Sequence, residues 1–324
     1  MDTLSFDLKD LILGFIPSQK DLLPLAFTSR SWYSLIIPRH SEYRDLRLSS
    51  ARPEIWAHLS HRADLASNIR NVCISEHTAI SETYPKTLVE VDQIRETGDL
   101  TQALTNMTSL HKFEWASPWH PRIASECENT AVFQVLRESR TLKELAIYYE
   151  TYVAIRHITE IPNNMLGLAS QSPNFPLWHI SDLTSLKLSG KWKISKSMPP
   201  IVSLLKLCVH LQELSITFDE STYGFTSCTF PHLRKLHLQR ESYLGLLAGI
   251  PDSVVEATIL SFLAAHSTIE ELRCDVLSIS CNQLPPMFLP NLRRLETNTS
   301  ALTALLYDNA ITARPLESIS TFAN

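Results

Sequence analysis

A six-residue unit, apolar-x-x-apolar-x-apolar, recurs nine times along this chain and restricts what it can fold into. It occurs as Ile69-Val72-Ile74, Leu110-Phe113-Trp115, Leu142-Leu145-Ile147, Leu183-Leu186-Leu188, Leu211-Leu214-Ile216, Leu233-Leu236-Leu238, Ile269-Leu272-Cys274, Leu292-Leu295-Thr297 and, most weakly, Leu316-Ile319-Thr321, counting the apolar places of each. Successive first residues are 41, 32, 41, 28, 22, 36, 23 and 24 apart. The last two places alternate as in a strand with one buried face, and the first packs into the turn before it. One unit cannot bury that face alone, whereas a stack can. The pattern predicts an α/β fold of short parallel strands joined by helices or loops. Ala131–Arg137 and Val254–Leu263 have helical apolar spacing between units. By contrast "FPHLRKLHL" and "LPNLRRLET" put proline just before the unit, where a short return without a helix suffices.

The first 48 residues read differently. Leu8, Leu11, Ile12 and Phe15 fall at i, i+3, i+4 and i+7 and predict one apolar helical stripe, closed by Gly14 and Pro17. A second helix is expected over about Leu22 to Phe27, with Asp21 as N-cap and Pro24 in the third position. Thr28 or Ser29 can cap a third, which carries Trp32, Leu35 and Ile36 and stops at Pro38. Three helices this short share little interior, so part of their apolar surface is expected to face a partner.

Composition excludes several functions. With 29 basic and 34 acidic residues the net charge is −5, and no basic run draws the chain to nucleic acid or to a membrane surface. No window has the apolar length of a membrane span, and the start, Met1-Asp2-Thr3-Leu4-Ser5-Phe6-Asp7, lacks the marks of a secretory signal. The six cysteines sit far apart, mostly in apolar patterns, as expected of buried free thiols in the cytoplasm or nucleus. Asn106 and Asn298 then match a glycosylation pattern by chance. Seven glycines cannot assemble a nucleotide-binding loop, and no nucleophile elbow exists. His58 with His61, and Cys274 with Cys281, lack two further ligands at zinc spacing. Acidic pairs such as Glu270-Glu271 and Asp219-Glu220 read as solvated charges. The expectation is a chain without catalytic residues, metal or cofactor.

Residues 4–48 resemble an F-box, and the whole chain resembles the F-box proteins with leucine-rich repeats that are abundant in mushroom-forming basidiomycete fungi. The likeness rests on Leu4-Ser5, Leu8 to Phe15, Ile16-Pro17 followed by Asp21-Leu22-Leu23, and Phe27-Thr28-Ser29-Arg30-Ser31-Trp32. Two departures fall on the partner-facing side in that family: Ser5 stands where proline is usual, and one residue is added between Pro17 and Asp21. The resemblance implies a three-helix F-box over 4–48 followed by an irregular leucine-rich-repeat solenoid over 49–324. It implies a substrate-recognition subunit of a Skp-cullin-F-box type ubiquitin ligase, which binds a Skp-type adaptor and through it a cullin, while the repeats hold a protein substrate. Carried over as adaptor contacts or their support are Leu8, Leu11, Ile12, Phe15, Pro17, Leu22, Leu25 and Trp32.

If the body is a solenoid, the residues flanking each buried pair form its binding face. These include Glu144 and Tyr148, Lys187, Glu213, Lys235, His237, Arg273 and Arg294, whose mixed charges select no ligand class. The alternative is a repeat-only scaffold or inhibitor whose head merely caps the first repeat. Ala313 to Asn324 is expected to be the polar closing unit of the stack, unless the chain is shorter than a whole family member.

Overall fold

In the computed structural model the described residues are 4–16, 19–37, 44–48, 52–75, 98–117, 126–149, 174–190, 200–218, 222–240, 252–275, 288–307 and 315–322. The chain divides into two compact units, Met1–Pro118 with Cys127–Leu142, and Trp119–Glu126 with Lys143–Asn324.

The first unit begins with three helices, α1 (Phe6–Phe15), α2 (Gln19–Ala26) and α3 (Arg30–Ile36). Ser5 caps α1, its side chain accepting from the Leu8 N–H, and Ser29 caps α3 by accepting from the Trp32 N–H. Leu13, Leu22, Ala26, Trp32, Leu35 and Ile36 close a small core, with Leu25 packed partly against it. The second helix corrects the expected cap: it starts at Gln19, so Asp21 lies in its first turn and Pro24 inside it. An interior proline forgoes one backbone bond, and burial of Leu22 and Ala26 offsets that loss.

Parallel strands follow: β1 (Asp45–Leu48), β2 (Asn71–Ser75) and β3 (Lys112–Ser117), with β1 on β2 and β2 on β3. The strand β1, which the sequence had placed in the head, pairs from Asp45↔Asn71 to Leu48↔Ile74. Between and after these strands come α4 (Pro53–His61), α5 (Ala63–Ala66), α6 (Gly98–Asn106) and α7 (Glu126–Glu138). The Ala131–Arg137 segment is helical as its spacing predicts, and Phe133 stacks on Trp115 at 5.7 Å.

The second unit holds seven strands in parallel succession: β4 (Glu144–Tyr149), β5 (Ser185–Gly190), β6 (Glu213–Phe218), β7 (Lys235–Arg240), β8 (Glu271–Cys274), β9 (Arg294–Thr297) and β10 (Ser318–Thr321). In-register pairing puts Leu145, Leu186, Leu214, Leu236, Leu272 and Leu295 in one buried row. The turn before each unit also repeats: the N–H of Leu211, Leu233, Ile269 and Leu292 donates to the carbonyl three residues earlier. The carbonyl just ahead of a strand then accepts two N–H groups from the next, as Thr184 does from Gln212 and Glu213, and Gln212 from Arg234 and Lys235. The nine sequence units therefore coincide with β2 to β10.

Helices α8 (Pro200–Leu207), α9 (Asp252–Ala265) and α10 (Thr299–Tyr307) lie between strands of this unit. Among its described residues the return into β7 carries only a short 3-10 turn, Tyr223–Ser227, as the proline before that unit suggests. In the expected closing unit, β10 pairs on β9 and keeps its four side chains exposed. Among the described residues no helix is long and apolar enough to cross a membrane.

Candidate docking face on the helical head

Helix α1 has two opposed faces. Leu13 is fully buried and Lys9 is 4% exposed, whereas Leu8, Leu11, Ile12 and Phe15 are 50%, 57%, 40% and 80% exposed. The predicted stripe forms, and it faces away from the core of its own unit. Phe6 is exposed as well, at the start of α1 and off that stripe, and the head further exposes Leu23 and Phe27, one helical turn apart, and Tyr33. Eight of the twelve exposed large apolar residues recorded among the described residues thus lie in the head. Scattered singly they would need no explanation; eight of them on three short helices are a concentration of exposed apolar surface. The exposure of Phe6, Leu23, Phe27 and Tyr33 was not expected from the sequence; the i, i+4 spacing of Leu23 and Phe27 was the available signal.

The other carried-over residues lie elsewhere. Leu22 and Trp32 are in the interior, Leu25 is half-buried, and Pro17 lies outside the described residues. Leu22 and Trp32 therefore support the face from beneath.

Two buried cations hold this arrangement. The Lys9 ammonium donates to the Ser31 hydroxyl at 2.5 Å and sits over the Trp32 ring at 5.6 Å. Arg44, with no exposed surface, donates to the Leu13 carbonyl at 3.1 Å while its own carbonyl accepts from Arg70 and Asn71 of the next turn. One residue thus ties the negative end of α1 to the start of the sheet. Burial and the neighbouring Arg70 lower the Arg44 guanidinium to about 10.

The outward positions of the strands in the second unit form a ladder of ion pairs. Lys187 meets Glu213 at 2.9 Å, and Arg273 meets Glu296 at 3.4 Å. Glu271 faces His237 at 3.2 Å, Arg294 at 3.5 Å and Lys235 at 4.0 Å. Burial would raise the Glu213 carboxyl, but hydrogen bonds from Lys187 and Ser185 outweigh it and hold it below the usual range. Lys187 shows the converse, burial opposed and overcome by Glu213. The sheet brings together Lys187 with Glu213, and Lys235, His237 and Arg294 around Glu271, while Tyr148 stands on β4 beside Ser189 of β5. These charges answer one another rather than presenting one sign.

Among the described residues no group of His, Cys, Asp and Glu could hold a metal ion. His58 and His61 are exposed on α4, and Cys281 lies outside the described residues. Cys73, Cys208, Cys228 and Cys274 are free, and burial pushes the Cys208 thiol up to about 11, away from nucleophilic character. Asn106 spends its amide on the Leu59 and Ser60 carbonyls, and Asn298 caps α10 through Ala301. No family model and no curated protein matches this sequence.

Proposed function

We propose that the chain is the substrate receptor of a Skp-cullin-F-box type ubiquitin ligase, with an F-box head that docks a Skp-type adaptor and a leucine-rich-repeat body that holds a protein substrate. Ubiquitin transfer is carried out by the partners, and the chain contributes position rather than chemistry. The supporting observation is the orientation of α1. A head that only capped the sheet would turn its apolar stripe toward it, yet Leu8, Leu11, Ile12 and Phe15 point outward while Lys9 and Leu13 point in. Burying each of these four side chains in an adaptor groove gains up to about 1.5–3 kcal/mol before the cost of association.

The test is a pull-down of the full chain with a recombinant Skp-type adaptor, comparing wild type with Leu11→Asp, Phe15→Asp. Both residues are exposed, so the variant should fold as wild type and lose the adaptor. Leu22→Asp would be uninformative, because that carboxylate would enter the head's core. Absence of binding by folded wild type would overturn the receptor reading in favour of a repeat scaffold.

A further inference from the structure

A buried charge in a folded protein is met by an opposite charge or by hydrogen bonds that use its donors. Arg44 has neither in full. It has no exposed surface, and only its Nη2 is used, on the Leu13 carbonyl, while Nε and Nη1 are buried without an acceptor. The group is charged at neutral pH, because burial and Arg70 lower it only to about 10. Among the described residues no carboxylate forms an ion pair with it. Asp45 attracts it from the next position, but that side chain is exposed and takes the Asn71 amide. Lys9, the other buried cation, differs, since the Ser31 hydroxyl and the Trp32 ring answer it.

The repeat itself shows what is missing at Arg44. Arg44 stands one residue ahead of β1 and Arg70 one residue ahead of β2, and the Arg44 carbonyl accepts the Arg70 N–H at 2.9 Å, so the two occupy the same corner of successive turns. In the second unit an arginine at that corner is answered by a glutamate at the next. Arg234 meets Glu270 at 3.8 Å, and Arg293 meets Glu317 at 2.9 Å. In the first unit the residue after Arg44 in this column is a second arginine, half-buried, whose charge opposes that of Arg44. Asp10 attracts Arg70, and His111, next in the column, adds no acid. The negative charge that the second unit supplies from its own corners is therefore absent where a fully buried arginine needs it.

We infer that a small free oxyanion of the phosphate type binds at the Arg44 corner, beside Arg70, in the place that glutamate fills in the second unit. Several acceptor oxygens on one anion suit donors that leave two guanidinium groups in different directions. Because Arg44 is fully covered, the ligand is the free anion rather than a phosphate carried by a larger molecule. The inference is independent of the receptor reading.

The test is calorimetric titration of the full chain, exchanged into sodium gluconate, with inorganic phosphate at constant ionic strength. One saturable site per chain is expected. Arg44→Met should weaken it about tenfold or more, Arg70→Gln should weaken it less, and Arg62→Gln, which alters an exposed arginine paired with Asp64, should bind like wild type. Were Arg44→Met to misfold, wild type and Arg70→Gln would still decide the matter. No saturable binding by wild type, or binding unchanged in the Arg44 and Arg70 variants, would overturn the inference. Glycerol 3-phosphate binding as tightly as phosphate would overturn it too, since a closed corner has no room for the ester.

Discussion

Leu11 in the head and Leu214 in the body are the same residue in two opposite situations, the first 57% exposed and the second fully buried. Both belong to regular apolar patterns, one at helical and one at strand spacing. In the body each strand finds the next at fixed register, so the row through Leu186, Leu214 and Leu236 closes within the chain. On α1 the corresponding closure is missing among the described residues. Apolar periodicity therefore marks a face, and only the packing tells whether the same molecule covers it.

That contrast can be broken most forcefully at Trp32, the largest side chain of the head's core. Trp32→Ala should cost about 3–5 kcal/mol in urea denaturation and remove adaptor binding as a consequence of unfolding the head. Leu214→Ala, in the middle of the row, should cost about 2–5 kcal/mol and leave the isolated adaptor pull-down intact if the two units unfold separately. A single transition lost for both functions together would show that they do not.

A smaller effect depends on pH. His266 is neutral in the fold because burial lowers its proton affinity and its Nε2 accepts the Phe230 N–H. Its folded pKa thus lies below the unfolded value of about 6.5. Its contribution to stability is complete above that value and declines as pH falls from there through the folded pKa, where the unfolded chain binds a proton that the native one refuses. Denaturation midpoints at pH 7.5 and 5 should differ more for wild type than for His266→Gln, and equal differences would remove His266 from the account. The smallest effect is expected on α1, where Leu11→Ser should change stability by no more than about 0.5 kcal/mol yet weaken the adaptor complex. A large loss of stability there would mean that the stripe is covered by the chain itself.

Much of this was legible in the residues. The nine units coincide with β2 to β10, the helical spacing at Ala131–Arg137 and Val254–Leu263 with α7 and α9, and the cap at Ser29 with the start of α3. The strand β1 escaped because Tyr43 stands at the turn place, where the other units carry Leu or Ile, ahead of Leu46 and Leu48; Arg44 has the carbonyl-acceptor place that Arg70 has in the next unit. The start of α2 was misplaced because proline was assigned to the first turn, its least costly position, and tertiary burial of Leu22 and Ala26 overrode that preference. Nothing in the sequence marked Lys9 and Arg44 as buried, since burial of a cation depends on what surrounds it in space.

By itself the sequence determined the parallel α/β stack and the apolar stripe of α1, because both are set by spacings of a few residues that fix which side chains share a face. Only the tertiary structure decided which way that stripe points and which charges pair across the strands. Those outcomes depend on residues far apart in the chain, such as Lys9 with Ser31, Arg44 with Leu13 and Glu271 with Arg294, meeting at distances that no local pattern encodes.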